Sequence, residues 1–183
     1  MGELVFIIGG ARSGKSRYAV ELAKKRGKKT VFLATGIAKD EEMKKRIKLH
    51  KESRPLSWAT IEEGKNPLNV LINLKKDYKV VILDCLTFLI SNLLLDGVGE
   101  ELILKEIRGL AKVTLKNDYK LIVVSNEVGE GVVPHTQLGR DFRDIAGKSN
   151  QIMADYAQEV YLMVAGIPLK LKGEKCEEDT KNN

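Results

Sequence analysis

The stretch GGARSGKS, residues 9–16, places glycine, lysine and serine at the spacing G-x-x-x-x-G-K-S. This spacing is typical of a loop whose backbone N–H groups surround phosphate oxygens, next to a helix N-terminus that adds partial positive charge. We expect Lys15 to contact the β- and γ-phosphates, and the hydroxyl of Ser16 to bind Mg²⁺. The motif therefore predicts binding of a nucleoside triphosphate. Its phosphate-binding residues are Gly9, Gly10, Ala11, Arg12, Ser13, Gly14, Lys15 and Ser16.

A phosphate loop of this kind usually works with a carboxylate that ends a neighbouring strand and holds the magnesium. Asp84 follows the apolar run KVVIL and is the residue we expect there, although an aspartate at this place can also simply begin a turn. Kinases, GTPases and ATPases share both features, so the two motifs leave the reaction open. The late apolar run ends in SNEVGEG rather than in the N-K-x-D signature of small GTPases, which disfavours a Ras-like switch.

The elements that must position these residues follow from the apolar pattern. Continuous apolar runs predict strands buried on both faces, and the segments between them have helical periodicity. Such alternation predicts an α/β fold with a mainly parallel sheet flanked by helices, and the phosphate-loop motif makes it one of the P-loop NTPase type. The predicted strands are 4–8, 30–34, 79–83, 120–125 and, as the last, 159–164; helices are predicted after the phosphate loop and at 40–53, 66–74, 86–95, 100–115 and 136–157.

Composition limits the class of protein. With 183 residues, 43% hydrophobic and 31% charged, the chain is typical of one globular domain, which we place at 1–170 with a polar tail at 171–183. No apolar run is long enough for a membrane span and no basic leader is present, so we expect a cytoplasmic protein. Two cysteines predict neither a disulfide framework nor a zinc site. The net charge of +6 is spread along the chain with only 5% aromatic residues, which favours phosphorylated small molecules over nucleic acid.

His50 is one of two histidines and lies within RIKLHKESRPLSW. Asp40 is a plausible N-cap and Pro55 follows the segment, so we predict a helix over 40–53. On this helix His50 and Arg54 share a face, with Arg46 one turn earlier. Neighbouring cations lower the pKa of an imidazole, keep it neutral and nucleophilic, and attract a triphosphate. The alternative is an ordinary surface or packing histidine.

Five separated motifs occur in one order: GGARSGKS, RIKLHKESRPLSWATIEE, LDCLTFLISNLL, VVSNEVGEGVVP and RDFRDIAGKSNQ. In these motifs, from about residue 3 to about residue 170, the chain resembles the bifunctional adenosylcobinamide kinase / adenosylcobinamide-phosphate guanylyltransferases of cobalamin biosynthesis. The resemblance implies that adenosylcobinamide is phosphorylated with ATP or GTP, and that GMP from GTP is then transferred to adenosylcobinamide phosphate. It also implies a homo-oligomer, expected to be a trimer, with the corrinoid in an intersubunit cleft.

The resemblance assigns roles to individual positions. In that family the histidine of the H-K-x-x-R-P motif, His50 here, attacks the α-phosphorus of GTP, releases pyrophosphate and carries GMP as a phosphoramidate. Asp84 would lie near the Mg²⁺, at a position that is often glutamate in relatives. The remaining nucleotide-binding positions that it implies are Ala34, Thr35, Gly36, Lys51, Glu52, Ser53, Arg54 and Glu62.

Two other functions remain open from the sequence. One is an ordinary P-loop small-molecule kinase, in which His50 only contacts phosphate; the other is a nucleotide-binding regulatory module with negligible turnover. Guanylylation could also persist without kinase activity.

The roles of several further residues also remain open. Arg140, Arg143 and Asp144 either reach the corrinoid or a neighbouring subunit, or form local ion pairs on a solvated face. We expect His135 to be structural or solvent-facing and Trp58 to pack rather than to stack on a ligand.

Overall fold

The computed structural model describes residues 2–26, 29–37, 41, 51 and 54–173. The predicted helix at 40–53, with His50, therefore lies outside the described residues apart from positions 41 and 51. The strands are β1 (Glu3–Gly9), β2 (Thr30–Ala34), β3 (Ala59–Glu62), β4 (Val80–Asp84), β5 (Lys120–Asn126), β6 (Glu159–Val164) and β7 (Ile167–Lys172). Among the described residues, the helices are α1 (Lys15–Lys25), α2 (Pro67–Ile72), α3 (Leu86–Leu95), α4 (Glu100–Lys116) and α5 (Gln137–Tyr156).

The strands form one seven-stranded sheet in the order β3-β2-β4-β5-β1-β6-β7. Neighbours from β3 to β6 are parallel, and β7 alone is antiparallel, to β6. Because side chains alternate along a strand, the continuous apolar runs supply both faces of the sheet. Leu4 and Phe6 join the core beneath α3, α4 and α5, whereas Val5 and Ile7 join the core beneath α1. The predicted α/β class with a mainly parallel sheet is confirmed.

Two strands differ from the prediction. The sequence pattern did not indicate β3, a four-residue edge strand with alternating exposure. The prediction that residues 159–164 form the last strand is wrong, because a tight turn at Ala165 and Gly166 returns the chain as β7. This strand takes in Leu171 and Lys172, which we had assigned to the polar tail. Residues 174–183 lie outside the described residues.

The long helix α5 packs on the sheet through most of its predicted apolar stripe. Ile145 and Met153 are buried in the core, and Phe142 and Ile152 pack against it. Leu138 was expected in the same stripe but is 49% exposed, because it lies in the first turn of α5, before the helix reaches the core. None of the helices in the described ranges combines the length and hydropathy needed to cross a bilayer.

The parallel strands end together at one edge of the sheet. Ala34, the last residue of β2, is in register with both Glu62 of β3 and Asp84 of β4. On the other side of β5, Gly9 of β1 is in register with Asn126. This carboxyl edge is where open α/β sheets bind their ligands.

Candidate nucleotide-binding site

The loop between β1 and α1 is held in shape by its own backbone and by the β6–β7 turn. The N–H of Ser13 donates to the carbonyl of Gly10 at 3.3 Å, and the N–H of Gly166 donates to the carbonyl of Ser13 at 3.0 Å. Gly14 precedes α1 with φ +95°, and a Cβ there would lie 3.2 Å from the Cα of Gly166. Glycine is therefore strongly favoured at position 14, both by the left-handed backbone and by the close turn.

Lys15 is the buried cation of this loop, with only 7% of its surface exposed. Its Nζ donates to the carbonyl of Gly10 at 2.5 Å and lies 3.4 Å from the Oγ of Ser13. Burial lowers the pKa of Lys15, and the charges of Cys85 and Asp84 oppose that shift. Burial also raises the pKa of Cys85 to about 12, so near neutral pH Asp84 is the anion that faces Lys15. A bound phosphate would compensate for the desolvation of this ammonium.

The loop forms one wall of a cavity of about 620 Å³. The opposite wall belongs to the ends of β4 and β5 and the start of α3. The lining residues are Ala11, Arg12, Ser13, Gly14, Lys15, Ser16, Arg17, Asp84, Cys85, Phe88, Val124 and Asn126. The structure thus brings most of the predicted phosphate loop and the predicted carboxylate to one cavity.

A magnesium ion fits the donor set of this cavity. Ser16 offers a hydroxyl oxygen and Asp84 a carboxylate, the hard oxygen ligands that Mg²⁺ prefers. Within the described ranges, His, Cys, Asp and Glu side chains do not gather in threes as an all-protein metal cage would need. The remaining ligands would therefore be phosphate oxygens and water, as is usual for this ion.

Thr35 holds the end of β4 in place through hydrogen bonds to the backbone of Cys85. Its hydroxyl donates to the carbonyl of Cys85 at 2.6 Å, and the N–H of Cys85 approaches the same hydroxyl oxygen at 2.9 Å. The side-chain amide of Asn92 donates to the carbonyls of Thr35, at 2.9 Å, and Gly64, at 3.0 Å. Thr35 is fully buried, and its hydrogen bonds to Cys85 hold in place the residue that follows Asp84. Ala34 and Gly36, which were predicted with Thr35 as nucleotide-binding positions, are buried in the sheet and half-buried, respectively.

The described residues that follow His50 reach the same edge of the sheet. Lys51 forms an ion pair with Glu62 at the end of β3. Arg54 places its guanidinium 3.4 Å from the centre of the Phe32 ring, beside a second cavity of about 330 Å³ that Ser16 also lines. Burial lowers the pKa of Arg54, while Asp84 and Glu62 act against that shift. His50, Glu52 and Ser53 lie outside the described residues.

The structure gives Arg140, Arg143 and Asp144 local partners. Arg140 donates to the carbonyls of Pro134 and His135 at 3.0 and 2.9 Å, which ties the preceding loop to α5. Arg143 pairs with Asp144 at 3.6 Å.

The other two residues of open role lie where we expected them. His135 is exposed in its loop, and Trp58 packs against the core beneath α1.

Sequence reasoning missed the wall that faces the phosphate loop. Cys85, Phe88 and Asn126 line the cavity, and Thr87 supports Asn126 through a 2.8 Å hydrogen bond. A signal for Asn126 was present, since it directly follows the predicted strand 120–125, as Asp84 directly follows the predicted strand 79–83. In a parallel sheet two such residues share one edge.

Comparison with known proteins gives consistent matches over nearly the whole chain. The family model described as cobinamide kinase / cobinamide phosphate guanyltransferase matches residues 5–171. The bifunctional adenosylcobalamin biosynthesis protein CobU of Escherichia coli K12 is 39% identical over 182 residues, covering 92% of this chain and 99% of the relative. The protein of the same name from Salmonella typhimurium is also 39% identical, with the same coverage. Bifunctional adenosylcobalamin biosynthesis protein CobP of Pseudomonas aeruginosa is 41% identical, covering 92% of this chain and 96% of the relative.

Proposed function

We propose that one phosphate-loop site performs two successive reactions on adenosylcobinamide, phosphorylation and guanylyl transfer. This chain belongs to the cobinamide kinase / cobinamide phosphate guanyltransferase family. The chain is a kinase and nucleotidyltransferase of cobalamin biosynthesis. First, the γ-phosphoryl of ATP or GTP passes to the aminopropanol hydroxyl of adenosylcobinamide. Then GMP from GTP passes to the resulting phosphate and gives adenosylcobinamide-GDP. The observation that supports this most is the single cavity that holds Lys15, Ser16 and Asp84.

The two reactions have one requirement in common, a triphosphate clamped by backbone N–H groups and a buried cation. The phosphate loop supplies the N–H groups at the N-terminus of α1, and Lys15 supplies the charge. What differs is the phosphorus atom that meets the acceptor: the γ-phosphorus in the kinase reaction and the α-phosphorus in guanylyl transfer. Our proposal is that this one clamp serves both reactions.

We assign the covalent step to His50. Its imidazole nitrogen would form a bond to the α-phosphorus of GTP, while the bond to the α–β bridging oxygen breaks and pyrophosphate leaves with the electron pair. The phosphate of the acceptor then forms the new P–O–P bond, and the P–N bond breaks. Lys51, directly after His50, pairs with Glu62, and Arg54 lies within electrostatic reach of Asp84. These contacts of Lys51 and Arg54 support our assignment of the H-K-x-x-R-P motif to the carboxyl edge of the sheet.

Ser16 and Asp84 are the residues that would hold Mg²⁺, and the ion would neutralise negative charge on the phosphates. Lys15, the loop amides and Arg54 orient the triphosphate whichever phosphorus reacts. We place the activity in the cytoplasm, where ATP and GTP are available as substrates.

We also propose self-association into a homo-oligomer, with a trimer as the expected form. The edge strand β7 exposes Ile167, Leu169 and Leu171 by 69%, 55% and 57%. These alternate residues lie on one face of the strand, and exposed apolar patches of this kind mark protein interfaces. Light scattering after size-exclusion chromatography tests this. A trimeric mass is the expected result, and a monomer at micromolar concentration would contradict it.

The experiment that tests the two activities follows adenosylcobinamide by chromatography after incubation with protein, Mg²⁺ and GTP. Wild-type protein should give first the phosphate and then the GDP ester. His50→Ala should stop at the phosphate, whereas Lys15→Met should form neither product, because it removes the buried cation of the clamp. Failure of wild-type protein to modify adenosylcobinamide would overturn the proposal, as would a GDP ester formed by His50→Ala at the wild-type rate.

A further inference from the structure

Asn126 occupies the carboxyl end of β5, between the strand that carries Asp84 and the strand that begins the phosphate loop. Its Cα is in register with Gly9, and Val124 two residues earlier is in register with Asp84. Its side chain lines the same cavity as Lys15. Its position at this edge of the sheet is as central as that of Asp84.

The backbone of Asn126 is held on both sides. The side-chain amide of Asn150 donates to its carbonyl at 3.3 Å, and the Oδ1 of Asn150 in turn accepts from Ser125 at 2.7 Å. The N–H of the next residue, Glu127, donates to the carbonyl of Gly9 at 3.0 Å. These bonds join the end of β5 to α5 and to the start of the phosphate loop, so the position of Asn126 is fixed relative to that loop.

The side-chain amide is oriented as well. Its Nδ2 donates to the Oγ1 of Thr87 at 2.8 Å and lies 4.0 Å from the Sγ of Cys85. The bond to Thr87 directs the NH₂ group toward the wall of the cavity, where the sulfur of Cys85 is its other neighbour. No described residue donates to Oδ1, so the group that Asn126 has left for a ligand is a hydrogen-bond acceptor. An acceptor repels phosphate oxygens and complements a hydroxyl donor.

We propose that Asn126 is a substrate-binding residue of the kinase reaction, whose Oδ1 accepts a hydrogen bond from the alcohol that receives the γ-phosphoryl. This inference rests on the proposed function, because it needs an alcohol acceptor opposite the phosphate loop. The hydroxyl oxygen forms the new P–O bond, and the bond from the γ-phosphorus to the β–γ bridging oxygen breaks with its electron pair on the nucleoside diphosphate. The proton passes to water, since a neutral amide orients a hydroxyl without taking its proton.

The consequence is a difference between the two reactions. Only the kinase reaction has a hydroxyl donor at the acceptor. Formation of guanylyl-enzyme from GTP involves no corrinoid, and guanylyl transfer uses a phosphate oxygen as nucleophile. Replacing Asn126 should therefore slow phosphorylation selectively. A merely structural role, or a role in nucleotide binding, would slow both reactions alike.

The test uses the full chain with Asn126→Leu, which removes the acceptor at similar volume, and Asn126→Asp, which keeps an acceptor oxygen. With adenosylcobinamide, Mg²⁺ and saturating ATP, we expect kcat/KM for phosphorylation to fall about 10- to 100-fold in the leucine variant. The aspartate variant should retain more of it. Guanylyl-enzyme formed from α-labelled GTP should stay within about twofold of wild type in the leucine variant.

Thr87→Val serves as the matched variant, since it removes the acceptor of the Nδ2 bond, together with the 3.2 Å contact to the Cys85 thiol, at similar volume. It leaves Oδ1 of Asn126 in place and should give a smaller loss of phosphorylation. Equal losses in phosphorylation and guanylyl-enzyme formation, or wild-type phosphorylation by Asn126→Leu, would overturn the role of Asn126. These outcomes are distinct from failure of the proposed function, in which wild-type protein itself does not phosphorylate adenosylcobinamide. A variant that fails to fold is recognised by its thermal unfolding, and the aspartate and valine variants then decide.

Discussion

The guanidinium of Arg54 lies over the ring of Phe32, 3.4 Å from the ring centre. Phe32 belongs to β2, one strand away from Asp84, so this stack brings the cation of the H-K-x-x-R-P segment to the carboxyl edge of the sheet. Stacking on an aromatic face holds a planar guanidinium in a fixed orientation, which a lysine ammonium cannot reproduce. The stack therefore supports a role for Arg54 as an oriented phosphate-binding cation.

Replacing Arg54 should weaken nucleotide binding through both charge and orientation. We expect Arg54→Ala to raise the Kd for GTP about tenfold or more, and Arg54→Lys to recover only part of that loss. Isothermal titration with Mg²⁺ and GTP measures both values. Lys24→Ala is the matched control, since Lys24 lines the same 330 Å³ cavity from the exposed side of α1. A lysine variant with wild-type affinity would show that orientation by Phe32 is irrelevant.

The two glycines at positions 10 and 14 should respond differently to alanine. At Gly14, φ is +95° and a Cβ would lie 3.2 Å from the Cα of Gly166, so alanine should lower the free energy of unfolding by about 1–3 kcal/mol. At Gly10 a Cβ would meet nothing within 4 Å, and alanine should change it by at most about 0.5 kcal/mol. Urea unfolding of both variants gives these values. Equal losses would contradict the close contact with the β6–β7 turn.

Cys85 should make the folded state less stable at alkaline pH. Burial raises its pKa to about 12, above its ordinary value of 9.0, so from about pH 9 upward the unfolded chain loses a proton that the folded chain keeps. The free energy of unfolding then falls with rising pH, by about 1.4 kcal/mol per pH unit within that window. The effect is absent well below pH 9, where both states hold the proton.

The measurement is urea unfolding of wild type and Cys85→Ser at about pH 8 and about pH 10.5. The stability difference between them should shift against wild type by about 2 kcal/mol, because serine does not titrate there. Tyr119, whose pKa burial raises to about 12, contributes equally to both proteins and cancels in the comparison. Parallel pH profiles would contradict a neutral, buried thiol at position 85.

The sequence allowed prediction of the parts of the fold that are buried on both sides. Strands such as β1 and β4 show as continuous apolar runs because helices cover both faces of the sheet. The phosphate loop was recognisable because its spacing is dictated by the phosphate group itself. Asp84 could be found because it directly follows one of these runs.

The edges of the sheet were harder to predict. β3 has only four residues, too few for a clear period, and it forms through pairing with β2. β7 contains Pro168, which argues against a strand in the sheet interior but is compatible with an edge, and its leucines are exposed like those of a loop. Asn126 was missed because the contacts that orient its side chain come from Thr87 and Cys85, which the fold alone brings beside it.

Under the proposed mechanism, His50 carries the guanylyl group between GTP and adenosylcobinamide phosphate. The most direct measurement incubates the protein with Mg²⁺ and GTP labelled at the α-phosphate or the γ-phosphate, and then counts label on denatured protein. Wild type and His135→Ala should carry acid-labile α-label and no γ-label, whereas His50→Ala should carry none; His135 is the matched control because it is the other histidine and is exposed. The α-label should leave when adenosylcobinamide phosphate is added. Equal α-label on His50→Ala, or no α-label on protein that makes adenosylcobinamide-GDP, would contradict the mechanism.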